Sequence, residues 1–445
     1  MSNNISIEKI SGWGNYPSFL AKVVRPQSVD EIVQYLKDNT SSSLARGGKT
    51  SYGDASLNEN GLNIDMRYFN KIISFSSKTG IINCQSGVKL FDIIKIFHTE
   101  GWFLNVTPGT QRATVGGCIA CDSHGKNWKA GSFCNYVIGF NIMIENGKII
   151  WCDKHNNADL FYATFGGIGL TGILIDVKIR LRKVPSSFLN VETIRFRNLD
   201  ELFQIQEQTV GTHEYLFSWI DSQKSGKQMG RGVMQRANYC NNEPLQYIEK
   251  NKINIPFNFP NIAINKLSVK IFNSAYYLLR NQKNSKKEYL LDFFYPLDGI
   301  SNWNRVYGTK GFIEYQVVIP SEFAFKTIDQ LLDIITKSGL GSTIAAIKPL
   351  TKSKGYLSFP IDGITLAVDF AYNNKLWELI DRLDDIVINN GGRVYLAKDS
   401  RLNSTNFAKM YSESFIKFCS VINKYSVNRK FNSEMFHRIS QKTNY

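Results

Sequence analysis

Residues 106–135 read VTPGTQRATVGGCIACDSHGKNWKAGSFCN, and the reading of this stretch decides the fold. Gly109, Gly116, Gly117, Gly125 and Gly131 recur through it, and no helical or strand period runs along most of it. Structureless runs of this length are uncommon inside a compact domain unless they serve a function. A segment so rich in Gly, Thr, Ser and Asn needs an outside partner to order it. Glycine lets backbone N–H groups approach a ligand closely, and a run of such groups suits a diphosphate. His124 and Lys126 add titratable side chains to the same stretch. The competing reading is a long surface loop.

Working outward, 445 residues are enough for two or three domains with sizeable cores. A hydrophobic content of 43% and an aromatic content of 13% fit a folded chain. The net charge of +15 favours anionic partners. That charge is spread along the chain, without a basic tail or a nucleic-acid motif. A phosphate group or an acidic membrane surface is therefore expected, and nucleic acid is not. The seven cysteines, Cys84, Cys118, Cys121, Cys134, Cys152, Cys240 and Cys419, are odd in number and scattered. They suggest a reducing compartment and no disulfide framework. No apolar run is long enough to span a bilayer, and the N-terminal residues lack a signal-peptide layout.

Upstream, SVDEIVQYLKDN at 28–39 predicts a helix capped by Ser28, with Glu31 three residues on. Short strands follow to residue 88, then an amphipathic helix over 90–98. Downstream, 136–144 and 148–152 read as strands joined at Asn146-Gly147, a strong hairpin signal. A short helix over 159–165 leads into the one-sided strand ILIDVKIRL at 173–181. Beyond about 189, strands at EYLFSWIDS, GFIEYQVVIP, AAIKPLT and ITLAVDFAY alternate with helices over 322–338 and 375–389. This order predicts an antiparallel sheet with helices on one face. The fold class is α+β: a first domain over 1–188, a second over 189–392, and a segment over 393–445 that returns to the first. Residues 246–287 hold eight Lys/Arg and one acid, Glu249. Within them, Ile271, Phe272, Ala275, Leu278 and Leu279 fall on one helical face, which reads either as a membrane-surface helix or as a buried helix edge.

Two motifs mislead. Gly167, Gly169 and Gly172 match GxGxxG, but the helix precedes and the strand follows, the reverse of a dinucleotide fingerprint. Cys118 and Cys121 match CxxC, but no second ligand pair is spaced for a metal, so no metal site is expected.

The segments LARGGKTSYGD, GGCIACDSHGKN and FGGIGLTGI ahead of a strand together resemble the vanillyl-alcohol-oxidase-like family of oxidoreductases with a PCMH-type FAD-binding domain. GWGNYP, LNIDM, AGSFCN, YPLD, WNRVYG, EYQVVIP, LSFPI, VDF and GGRVYLAKDSR extend the resemblance, in order, over nearly the whole chain. They point to the branch of that family that oxidises a polyprenyl-phosphoryl ribose. The resemblance implies FAD as cofactor. Ala45, Arg46, Gly47, Gly48, Lys49, Thr50, Ser51, Tyr52, Gly53 and Asp54 would form the first diphosphate loop. Gly109, Thr114, Val115, Gly116, Gly117, Cys121, Asp122, Ser123 and His124 would form the second segment. Leu174 would bond the adenine end through its backbone, and Tyr395 would lie by the flavin ring. Thr50 stands where many relatives carry a histidine bonded to the flavin, which implies non-covalent FAD. Lys49 stands where relatives usually have another glycine. Ala367 stands where the branch carries a cysteine facing the flavin, which implies that thiol-directed inhibitors fail to attach there.

On the substrate side the resemblance implies Lys126, Trp219, Tyr307, Gln316, Lys348 and Asp369, with Lys398, Tyr52 and His124 as the catalytic candidates. Oxidising a secondary alcohol needs an electron sink, a base for the O–H proton and fixed geometry. Lys398 is the best candidate to position or deprotonate the hydroxyl, unless it serves in an ion pair with Asp399 or another acid. The implied reaction is oxidation of the C2 hydroxyl of a polyprenyl-phosphoryl pentose to the 2-keto sugar. A separate NAD(P)H-dependent short-chain reductase would complete an epimerisation to the arabinose form for cell-envelope polysaccharide. The expected place is the cytoplasmic side of the inner membrane, held peripherally. The alternatives are an aldonolactone or polyol oxidase of the same fold, or a flavin-binding subunit without turnover.

Overall fold

The computed structural model describes residues 5–280, 283–426 and 428–441. Its architecture is two-domain α+β, as the alternation of helices and strands predicts. The first domain carries two larger sheets and a two-stranded pair, Trp102–Phe103 with Arg182–Lys183. One has the order Ser6–Ser11, Ser18–Val24, Leu62–Asp65, Ser43–Arg46, with Leu62–Asp65 parallel to both of its neighbours. The other is antiparallel, in the order Ile72–Ser76, Ile81–Gln85, Ile173–Arg180, Val137–Met143, Ile149–Asp153. Helix Val29–Asp38 begins at Ser28, whose side chain accepts from the Glu31 N–H. Ile32 and Leu36 on its buried stripe pack with Val24, Ile64, Met143 and Ile173 between the two sheets. The hairpin expected at Asn146-Gly147 forms, with Gly147 at φ +83°. Helix Ala158–Thr164 precedes strand Ile173–Arg180, so the glycines between them do not open a helix.

The stretch 106–135 is less irregular than its composition predicts. Val115–Ala120 is a short helix, and Thr114 Oγ1 accepts from Gly117 N–H at 3.2 Å as its N-cap. Gly116 lies in its first turn, where a Cβ would sit 2.9 Å from Ser86 Cβ. Close packing of the helix against the turn that follows strand Ile81–Gln85, which composition cannot signal, requires glycine there.

The second domain is built on an eight-stranded sheet. Its order is Lys283–Tyr289, Phe188–Phe196, Gly232–Tyr239, Tyr215–Ile220, Ala345–Leu350, Gly363–Ala371, Phe312–Pro320, Arg393–Val394. Helices Leu199–Thr209, Ser321–Ser338 and Leu376–Asn389 pack against it, and the other face is left for the site. Two strands of this sheet escaped the sequence reading, as did Ser6–Ser11 and Ser18–Val24 in the first domain. Gly232–Tyr239 alternates too weakly to announce itself. Lys283–Tyr289 is an edge strand whose lysines discourage edge-to-edge pairing. The basic stretch is therefore part helix, Lys266–Leu279, and part sheet edge. On that helix Val269 and Asn273 are buried, whereas Ile271, Phe272, Leu278 and Leu279 are 61%, 49%, 62% and 78% exposed. The apolar stripe faces outward, so it is not a buried helix edge. No described helix is long and apolar enough to cross a membrane. All seven cysteines are free.

The C-terminal segment leaves the large sheet at Arg393–Val394 and crosses back to the first domain. Helix Ser404–Tyr425 packs against Ala158–Thr164, and helix Glu434–Ser440 delivers Arg438 to Asp54.

Candidate functional site

Between the two domains lies a cavity of about 320 Å³. Its floor is the free face of the large sheet. Strand alternation puts Glu314 and Gln316 on that face, and the antiparallel register sets Glu314 opposite Asp369 and Gln316 opposite Ala367. Ala346 and Lys348 continue the same face on the next strand. The opposite wall comes from Ala45 to Tyr52, from Gly109 to His124, and from Tyr395 to Lys398. The two glycine-containing segments touch: a Cβ at Gly48 would lie 2.6 Å from Arg112 O.

Of the first-loop residues, Ala45, Gly47, Gly48, Lys49, Thr50, Ser51 and Tyr52 line the cavity. Arg46, Gly53 and Asp54 stand behind it. Arg46 donates to Ser11 O, and burial lowers it to about 10. Gly53 packs on Asp399, whose carbonyl oxygen would be 1.7 Å from a Cβ at that position. Tyr52 N–H donates to Ala397 O at 3.1 Å, so this loop and the Lys398 turn are built against each other. Lys49 has φ +59°, a conformation that favours glycine, and its ammonium lies 3.5 Å from Asp65. Burial lowers its pKa and Asp65 opposes that.

In the second segment Gly109, Gly117, Cys121, Ser123, His124 and Lys126 line the cavity. Val115 is core, and Asp122, at φ +41°, accepts from Ser353 Oγ and Cys134 N–H. Leu174 lies in strand Ile173–Arg180 opposite Ile142, outside the lining. Trp219 also stands outside it. Its Nε1 donates to Thr343 O at 2.9 Å and its ring packs on Tyr276. Tyr307 stacks on Phe312 at 4.3 Å behind Trp303, which does line the space. Tyr395 Oη donates to Cys121 O at 3.0 Å, and its ring stacks on Phe359.

A connected set of polar groups lines the floor and the wall. Lys398 Nζ donates to Glu314 Oε2 at 2.8 Å and sits 3.3 Å from the Tyr52 ring centroid. Its acidic partner is thus Glu314, and Asp399 turns instead to Arg401 and Arg438. Thr365 Oγ1 donates to Val317 O and so accepts from Gln316 Nε2 at 3.2 Å. The second N–H of that amide points at His124 Nε2, 2.9 Å away. The imidazole therefore carries its proton on Nδ1, which is buried without a hydrogen-bond partner among the described residues. Burial, with Lys348 and Lys398 nearby, holds His124 well below its usual pKa. Lys126 and Lys348 are both lowered to about 7, chiefly by burial. Lys126 donates to Phe293 O between the Phe217 and Phe293 rings, and Lys348 donates to Gly125 O at 3.0 Å. Burial raises Asp369 well above the usual carboxylate range and Glu314 adds to it; Asp369 Oδ2 has no hydrogen-bond partner among the described residues.

Sequence reading missed Glu314, Arg112, Asp298 and Trp303 on this wall. Glu314 was within reach, because it precedes Gln316 by one strand period. Arg112 and Asp298 meet only through the tertiary fold, Asp298 accepting from Thr110 Oγ1 and Gln111 N–H.

Residues 17–153 match the FAD binding domain family. The chain is 32% identical over 421 residues to decaprenylphosphoryl-beta-D-ribose oxidase of Mycolicibacterium smegmatis, covering 91% of each chain. This chain belongs to the decaprenylphosphoryl-β-D-ribose oxidase family of FAD-dependent oxidoreductases. It is also similar to L-gulonolactone oxidase of Mus musculus, 25% identical over 44% of each chain. D-arabinono-1,4-lactone oxidase of Candida glabrata is 24% identical over 42% of this chain and 37% of its own. The cofactor is FAD, held non-covalently. The wall suits it: glycines that admit a close backbone, the hydroxyls of Thr50, Ser51 and Thr110, the cations Lys49 and Arg112, and an unpaired donor at His124 Nδ1. Acid precipitation of purified protein is expected to leave all of the flavin in the supernatant; yellow colour in the pellet would contradict the Thr50 reading. At Ala367 the wall offers no thiol, and burial raises the nearby Cys121 thiol. Thiol-directed inhibitors are expected to leave the enzyme unlabelled in intact-mass spectra, and Ala367→Cys to make it labelled.

Proposed function

We propose that the chain oxidises the C2 hydroxyl of a polyprenyl-phosphoryl pentose to the 2-keto sugar. The observation that carries this reading is the sheet-floored cavity beside the FAD loops. It presents Lys398, Gln316, Lys348, Lys126 and Asp369 to one sugar-sized space. In this reading residues 1–188 hold the cofactor, 189–392 the substrate, and 393–445 tie the two together. FAD, when bound, supplies the electron sink. Lys398 orients the reacting hydroxyl. Gln316, Lys126 and Lys348 give hydrogen bonds to the remaining sugar oxygens. Asp369, held as the neutral acid, adds a donor. Tyr52 and His124 close the space around the reacting carbon. Anaerobic bleaching of the bound flavin, with a panel of polyprenyl-phosphoryl pentoses and free aldonolactones, tests this. Bleaching by lactones alone would assign the chain to the aldonolactone oxidases.

The same reading accounts for the outward apolar stripe. Residues 296–303 form one rim of the cavity, and the segment ahead of helix Lys266–Leu279 packs on that rim. Ile253–Asn254 pairs with Ile300–Ser301, and Arg305 donates to Ile255 O and Pro256 O. Phe257 and Ile262 on this segment are 65% and 77% exposed. Exposed apolar side chains among lysines suit an acidic bilayer surface that keeps the polyprenyl tail while the sugar enters the cavity. The chain then works as a cytoplasmic protein held peripherally at the inner membrane. An NAD(P)H-dependent short-chain reductase takes up the keto product to give the arabinose form for the cell envelope. Replacing Lys250, Lys252, Lys266, Lys270 and Arg280 by Gln is expected to lower partitioning onto acidic liposomes at least tenfold. Partitioning equal to that of the parent protein would sink the membrane assignment.

A further inference from the structure

Oxidation of a hydroxyl releases a proton, and some group on the cavity wall takes it. His124 already accepts from Gln316 through Nε2, and its other nitrogen bears the proton. Tyr52 and Tyr307 are phenols pushed up, chiefly by burial. Asp369 is raised in the same way and faces Glu314 across the strand pair. Lys398 forms an ion pair, and an ammonium has no lone pair to offer. Lys348 lies two cross-strand rows from Glu314, opposite Thr365, with its ammonium on Gly125 O. The carboxylate left beside Lys398 is Glu314, with one oxygen 2.8 Å from the lysine nitrogen.

We propose that Glu314 is a positioning residue that fixes the Lys398 ammonium over the Tyr52 ring and takes the hydroxyl proton through it. The inference rests on the pentose-oxidation reading above. The O–H bond of the sugar breaks as an N–H bond forms at Lys398 Nζ. One of the protons already on Nζ moves to Glu314 Oε2, so the lysine ends as it began. Bound FAD would supply the acceptor for the C–H electron pair as the carbinol carbon becomes the ketone, and the new carboxylic acid returns its proton to solvent. The groups facing this pair are Tyr52 on the first loop, Cys121 and His124 on the second segment, Tyr307 on its short helix, and Lys348 and Asp369 on the neighbouring strands.

The test uses FAD-loaded full-length protein. Glu314→Gln is expected to slow flavin reduction at pH 7 at least a hundredfold. The rate should recover toward the parent value at alkaline pH, where a lysine without its counter-ion gives up its proton and accepts directly. Competitive acetylation of Lys398 without substrate, read by peptide mass spectrometry at pH 8, should run at least tenfold faster in Glu314→Gln. Glu314→Asp should fall between Glu314→Gln and the parent in both measurements. A rate within threefold of the parent at every pH overturns the proposal and points to Lys348. A loss equal at every pH overturns it too, because a merely structural defect would give that. If the parent protein holds FAD but no polyprenyl-phosphoryl pentose bleaches it, the functional reading fails, and the acetylation rate still decides the role of Glu314.

Discussion

Lys398→Ala is expected to keep its FAD and to lose between about a hundredfold and ten-thousandfold of its rate of flavin reduction, the usual range for a positioned proton-transfer group. The reason is local. Lys398 sits between the Glu314 carboxylate and the Tyr52 ring, at the junction of the glycine-containing loop at 45–54 and the sheet floor. Its backbone turn is held by Asp399, whose carboxylate accepts from the Arg401 and Leu402 N–H groups. In the proposed reading, removing the side chain therefore deletes chemistry without loosening the adjoining glycine-containing loop. Anaerobic stopped-flow reduction together with flavin content measures both quantities. A variant that retains FAD and full turnover on the pentose lipid would show that the lysine serves only its ion pair.

Arg438→Met is the variant with the largest expected effect on stability, about 3–5 kcal/mol at pH 7, the usual cost of stranding buried charge. Arg438 reaches Asp54 at 2.8 Å and Asp399 at 3.0 Å, and both carboxylates are nearly fully buried. It joins the C-terminal helix to the back of the glycine-containing loop at 45–54 and to the residue after Lys398. Burial pushes Asp54 up to about 6, Asp399 adds to this, and Arg438 opposes it. For a carboxyl raised in the folded state, the fold binds the proton more readily than the unfolded chain does. The cost of Asp54 is therefore absent below the usual carboxylate value and grows as pH rises through about 6. Without Arg438 that cost is larger, so the gap between variant and parent should shrink on going from pH 7 to pH 5. Urea unfolding at the two pH values reads it. A loss under about 1 kcal/mol at pH 7 would mean that water or a neighbouring group replaces the guanidinium. Adding Asp54→Asn to Arg438→Met should recover part of the loss by removing the stranded charge.

Much of the first domain can be read locally. Ser28 and Glu31 announce a helix start through side-chain geometry that spans a few residues. Asn146-Gly147 announces a hairpin because the turn needs positive φ. The order of helix and strand around Gly167–Gly172 excludes a dinucleotide fingerprint without any coordinates. The helix at Val115–Ala120 is harder, since two of its six residues are glycines that propensity counts against it. Packing on Ser86 and the Thr114 cap supply what propensity lacks. Lys283–Tyr289 is harder still, because an edge strand of lysines is chosen for what it prevents and not for what it buries.

By itself the sequence determined the α+β class, the two glycine-containing loops suited to a diphosphate, and the strands whose alternation carries Gln316, Lys348 and Asp369. These are properties of neighbours along the chain, where spacing fixes which side chains share a face. Only the tertiary structure decided that Lys398 pairs with Glu314 instead of Asp399, that Arg438 braces Asp54, and that the apolar stripe of Lys266–Leu279 faces outward. Each of those depends on two segments, tens to hundreds of residues apart, meeting at one distance. Charge and burial act through space, and composition does not record it.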